Sequence, residues 1–122
     1  MSWRRGRVHA RAVLLLTENG DKVIGPRFIR LLRLIDEHGS LRAAARELGL
    51  GYRHAIAWLQ RAEALLEHTL VARRAGGPAG GGAALTTRGR AVIDAYDAAA
   101  AEIANVLERT ERSFFPRRGE RR

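Results

Sequence analysis

The chain has 122 residues, a formal net charge of +9 and no cysteine. That length allows one domain around one modest core, and the missing cysteines exclude a disulfide framework and thiolate metal sites. The basic excess points to a polyanionic partner, nucleic acid ahead of an anionic membrane surface. No apolar run approaches the ~20 residues of a membrane span, and Val13 to Leu16 is too short for a signal-peptide core, so a soluble, cytoplasmic protein is expected. Arg4, Arg5, Arg7 and Arg11 crowd one end, and Arg117, Arg118, Arg121 and Arg122 the other. We therefore divide the chain into a basic arm (1–7), a domain (8–112) and a basic tail (113–122), with both ends expected to be solvated.

Val8 to Leu16 is apolar and is bounded by charged residues and by the turn-forming Asn19-Gly20. It is predicted as a strand, with helix as the competing assignment. Gly25-Pro26 opens a helix, with proline in its first turn. Phe28, Ile29, Leu31, Leu32, Leu34 and Ile35 give that helix an apolar band wider than one core face requires. Either the first strand or a second subunit should cover the excess. Arg27, Arg30 and Arg33 step along a side expected to be solvated. Gly39 can supply the left-handed cap that ends this helix.

Ser40 to Glu67 is the centre of the chain. Ser40 is a good N-cap, and Ala43, Ala44 and Ala45 are strong helix formers with almost no bulk. Leu48 closes the first helix, Gly49 turns the chain, Leu50 is expected in the core, and a second helix runs from about Gly51 to about Glu67. Helix, glycine-containing turn and helix make the helix-turn-helix pattern. Ala44 and Ala45 permit the close approach of the two helices. Leu48, Leu50, Ala55 and Leu59 fall on the inner side, and Tyr52, Arg53, Ile56, Ala57 and Gln60 on the outer side. An αα-hairpin in a bundle would share the spacing, so the next segment carries weight.

Leu70 to Arg73 and Ala83 to Leu85 can form two short antiparallel strands. Between them lie Gly76, Gly77, Gly80, Gly81 and Gly82, with Pro78-Ala79 in their midst. A glycine-tipped ribbon directly after a helix-turn-helix is predicted to be a wing. Its backbone N–H groups can meet phosphates, and Arg73 and Arg74 add charge at its base. A nucleotide-cradling loop is disfavoured, because the GxxxxGK[ST] pattern and its βαβ context are missing. A plain flexible linker is the other alternative. Thr86 then caps a long last helix, Thr87 to Arg112. Val92, Tyr96, Ala99, Ile103 and Val106 recur on it at spacings of four and three, with Ile93, Ala100 and Leu107 beside them. This heptad-like seam is expected to pair with the same helix of a second subunit.

Catalytic and metal constellations are not found. His9, His38, His54 and His68 lack metal-ligand spacing, and Ser40, Thr86 and Thr87 have no general base at a suggestive distance. We expect no enzyme, cofactor or small-molecule effector site.

From about Gly25 to Leu107 the chain resembles the N-terminal winged-helix domain of the molybdate-dependent transcriptional regulators (ModE), whose DNA-binding helices are related to the LysR type. The resemblance is carried by GPRFIRLLRLIDEHGSLRAAARELGLGYRHA and LLEHTLVARRAGGPAGGGAALTTRGRAVIDAYD. The glycine-rich wing followed by Leu85-Thr86 and Gly89 is its most specific part. It implies a mainly α, winged helix-turn-helix homodimer that binds double-stranded DNA at a palindromic operator. This chain stops short of the family's C-terminal molybdate-binding domains, so a stand-alone domain is expected. Pro78-Ala79 replaces a lysine-glycine pair at the wing tip, which shifts the expected contacts to Arg73, Arg74 and the glycine backbone. Gly51 stands where a serine cap is usual.

On this reading the helix after Gly51 lies in the major groove. Tyr52, Arg53, Ala57 and Gln60 face base edges, Ile56 meets a thymine methyl, and His54 meets phosphate or base. Ser40 and Arg42 meet the phosphate backbone. The rival readings are a low-specificity architectural DNA protein and a helical adaptor that binds another protein.

Overall fold

The computed structural model of the protein describes residues 9–74 and 81–115. In chain order the elements are β1 (Leu16–Glu18), β2 (Asp21–Ile24), α1 (Pro26–His38), α2 (Leu41–Leu48), α3 (Tyr52–Leu66), β3 (Val71–Arg73), β4 (Ala83–Leu85) and α4 (Thr87–Phe114). This is a mainly α, winged helix-turn-helix fold with, among the described residues, two separate two-stranded antiparallel ribbons. No helix among the described residues is long and apolar enough to cross a membrane.

The first ribbon corrects the predicted Val8 to Leu16 strand. Residues 9–15 form no strand, and pairing begins only at Leu16. The turn explains the displacement. Asn19 (φ 52°) and Gly20 (φ 87°) both take positive φ, the geometry of a two-residue hairpin turn. That turn pairs Glu18 with Asp21 and Thr17 with Lys22, so the strands must flank it closely. The apolar run upstream instead passes as an extended strap along α4. There the Tyr96 hydroxyl donates to the Leu14 carbonyl (2.8 Å), and the Ala10 N–H donates to Glu111 Oε2 (2.7 Å).

Helix α1 is the axis of the core. Its six apolar residues, Phe28 to Ile35, are all buried within the chain, covered by the β1–β2 ribbon, α2, α3, β4 and α4. The wide band therefore needs no second subunit. Gly39 (φ 66°) ends α1 with its N–H on the Ile35 carbonyl. The arginines of α1 are exposed, as expected of a solvated side, and each also has a partner. Arg27 donates to the Leu48 carbonyl (2.9 Å), Arg30 lies 3.7 Å from Glu47, and Arg33 pairs with Asp97. Arg90 on α4 returns to Asp36 at 3.0 Å, and this pairing raises the Arg90 pKa above its ordinary value. Two ion pairs thus hold the first half of α4 against α1, around the buried Ile93.

The helix-turn-helix forms as its local chemistry dictates. Ser40 Oγ accepts from the Ala43 N–H at 3.0 Å. Gly49 takes φ 72°, and the N–H groups of Gly49 and Leu50 return to the carbonyls of Arg46 and Ala45. Ala44 and Ala45 are buried, as are Ala55, Leu59 and Ala62 on α3, while Leu50 is half-buried against the core. The second ribbon pairs Val71 with Leu85 and Arg73 with Ala83. Thr86 caps α4 by accepting from the Gly89 N–H at 3.0 Å.

Candidate nucleic-acid interface

The buried residues Ala55, Leu59 and Ala62 fix which way α3 faces. At 100° per residue the opposite face carries Arg53, Ala57 and Gln60, and all three are exposed, as is His54. Tyr52 and Ile56 stand on one shoulder and are half-buried against the core, so only part of each side chain is presented. Arg42 comes in from α2 and places its guanidinium 4.0 Å from the Tyr52 ring centroid, a cation–π contact. Arg42, Gly51, Tyr52, Arg53, His54 and Ile56 line a shallow concavity of about 910 Å³. An exposed helical face, basic and rimmed by a second helix end, can enter a groove and hydrogen-bond both bases and phosphates.

Ser40 is half-buried, and its hydroxyl is used by the α2 cap. That bond holds the start of α2. At the wing base Arg73 and Arg74 are exposed. The Arg74 N–H donates to the Gly82 carbonyl (2.9 Å), and its guanidinium folds back over Gly82, where a Cβ would lie 2.7 Å from it. Gly81 is exposed and Gly82 half-buried. Gly76, Gly77 and Gly80 lie outside the described residues.

Val92, Tyr96, Ala99 and Ile103 are half-buried and Val106 is 48% exposed. Part of this apolar face is covered by the chain's own strap: residues 12–14 and Pro26 face Tyr96, Ala100, Ile103 and Leu107 across a groove of about 230 Å³. Burial, with the neighbouring Asp97 second, raises the Tyr96 pKa.

Sequence reasoning missed three contributors. Arg27 ties α1 to the end of α2 and sits 5.7 Å from the Trp58 ring, so it braces the helix-turn-helix from the α1 side. Glu63 Oε2 accepts from the N–H groups of Leu70 (2.7 Å) and Val71 (3.2 Å), anchoring the start of the wing to α3. The β1–β2 ribbon brings Lys22 beside Trp58 and Arg61 of α3. Only the Asn19-Gly20 turn signalled any of these in the sequence.

The model of the bacterial regulatory helix-turn-helix proteins of the lysR family matches residues 26–90. The chain belongs to that family. The match begins with α1 and ends in the first turn of α4, so it spans the helix-turn-helix and the wing and leaves out the β1–β2 ribbon. The molybdenum-pterin-binding protein MopB of Rhodobacter capsulatus is 41% identical over 105 residues, 86% of this chain and 38% of that protein. The DNA-binding transcriptional dual regulator ModE of Escherichia coli K12 is 42% identical over 72 residues, 59% of this chain and 28% of its own length. The transcriptional regulator ModE of Haemophilus influenzae is 34% identical over 92 residues, 75% of the chain and 33% of the relative. The chain thus spans well under half the length of the relatives it matches, and within them it corresponds to a ModE-like winged helix-turn-helix domain.

Proposed function

We propose that this lysR-family domain is a sequence-specific DNA-binding transcriptional regulator that acts as a homodimer in the cytoplasm. Its chemistry is hydrogen bonding and charge neutralisation, and no catalytic role is assigned. The observation that carries the reading is the outward face of α3. Arg53, Ala57 and Gln60 stand free of the core on a helix whose inner face is locked by Ala55, Leu59 and Ala62.

In the major groove Arg53 can grip guanine O6 and N7, and Gln60 can pair with adenine N6 and N7. Tyr52, with Arg42 stacked on it, reaches the groove wall, and Ile56 offers an apolar contact to a thymine methyl. His54, Arg42, Arg73, Arg74 and the wing glycines supply phosphate contacts, which set register and affinity without reading sequence. Pairing of two α4 helices along Val92, Tyr96, Ala99, Ile103 and Val106 would set two α3 helices on one face of the duplex. Half-sites would then repeat about one helical turn apart, in a palindrome.

Selection of bound duplexes from a random library tests this. Enrichment of a two-fold symmetric site is expected. Binding without enrichment would favour the architectural reading. Failure to bind any duplex at low salt would favour a protein-binding adaptor.

A further inference from the structure

The β1–β2 ribbon lies outside the family match and has no part in the function proposed above. Its position is nevertheless specific. A helix with its side chains is about 10–12 Å across, close to the ≈ 12 Å width of the major groove, so phosphate backbones line both of its flanks. One flank of α3 carries Tyr52 and Arg42. On the other the ribbon packs, leaving a notch of about 250 Å³ lined by Lys22, Arg27, Ala57, Trp58 and Arg61. Ala57 belongs both to the notch and to the outward face of α3, so the notch adjoins the face proposed above to meet bases.

The charges in the notch are sorted. Arg61 lies 3.7 Å from Glu18 and 3.9 Å from Asp21, which answers the ribbon's own acids. Arg27 is held by the Leu48 carbonyl and the Trp58 ring, neither of which neutralises it. Lys22 is exposed and makes no ion pair among the described residues. It is also the single lysine in a chain whose other basic side chains, histidine aside, are all arginine. A flexible ammonium at the rim of a groove is a compact point charge suited to one phosphate.

We propose that the β1–β2 ribbon is a second DNA-contacting ribbon, in which Lys22, backed by Arg27, takes a phosphate on the flank of α3 opposite Arg42. The proposal rests on the DNA reading of the preceding subsection.

Because Lys22 is the single lysine, an amine-reactive ester applied to the full chain reports on its side chain alone once the N-terminal peptide is separated by mass spectrometry. With a random-sequence duplex at low salt, acylation of Lys22 should slow several-fold, and the protection should vanish as salt is raised. Lys22→Ala should lower the slope of log affinity against log salt by about one unit between about 50 and 200 mM salt. The loss should be equal on every sequence, and Lys22→Arg should restore the slope. The thermal midpoint of each variant should match the wild type, since the side chain is exposed. Wild-type binding with Lys22 unprotected, or an unchanged slope in Lys22→Ala, overturns this contact alone. A wild-type chain that binds no duplex overturns the DNA reading and this contact with it.

Discussion

Gly89 lies in the first turn of α4, where an alanine would ordinarily stabilise a helix by about 1 kcal/mol. Here the reverse is expected. A Cβ built on Gly89 would lie 2.2 Å from the Leu70 carbonyl oxygen and 3.1 Å from its carbon. Carbon and oxygen in contact sit about 3.3–3.6 Å apart, so one backbone must move by about 1 Å. Neither can do so freely. The same Leu70 carbonyl accepts from the Thr86 N–H at 2.9 Å, and the Leu70 side chain is fully buried. Overpacking of this kind typically costs about 1–3 kcal/mol and a strained hydrogen bond about 1 kcal/mol more, which together outweigh the gain in propensity. Gly89→Ala should therefore destabilise the domain by about 1–3 kcal/mol, and each kcal/mol lowers the midpoint by several degrees at this size. Circular dichroism melts and urea titrations of both proteins measure the difference. A variant as stable as the wild type, or more stable, would refute the close approach of α4 to the start of the wing.

Glu63→Ala should remove the acceptor of two partly buried N–H groups and cost about 2 kcal/mol, with Glu63→Gln costing less; equal midpoints for the alanine variant and the wild type would show that the wing is anchored otherwise. The α4 seam makes a separate claim. Ile103→Asp would place an unpaired carboxylate in the proposed dimer interface, at a cost of about 3–5 kcal/mol, and should convert a sedimenting dimer to monomer. A wild-type chain already monomeric at micromolar concentration would dispose of the seam.

The helix-turn-helix was legible because its determinants are local. The Ser40 cap, the alanine run, the left-handed Gly49 and the inward Ala55 and Leu59 each act within a turn or two of chain. The strands of the second ribbon and the Thr86 cap were legible for the same reason. The first ribbon was not: the apolar run from Val8 drew the strand too early, and Asp21 and Lys22 hid the partner strand. Pairings such as Arg33 with Asp97 and Arg90 with Asp36 join residues 64 and 54 positions apart, and only the packing of α4 on α1 creates them. The seam on α4 was visible as an apolar face, but periodicity does not say what covers it. Residues 12–14 cover part of it from within the chain. The outward face of α3 was legible because burial on one face of a helix dictates exposure on the other. The approach of Arg27 and Lys22 to α3 was not, because they reach the helix from elsewhere in the chain.

Reading of bases by α3 is tested most directly by comparing Arg53→Ala with Arg74→Ala on the selected operator and on random duplex across a salt series. Arg53 faces outward from the first turn of α3, and a bidentate contact to guanine carries about 1–3 kcal/mol of discrimination. Arg74 sits at the wing base, where loss of a phosphate contact weakens every sequence alike and lowers the salt slope by about one unit. Arg53→Ala should therefore weaken operator binding far more than random-DNA binding and relax the preference at one base pair in each half-site. Equal loss on operator and random DNA would contradict base reading through Arg53 and leave α3 a backbone-binding helix.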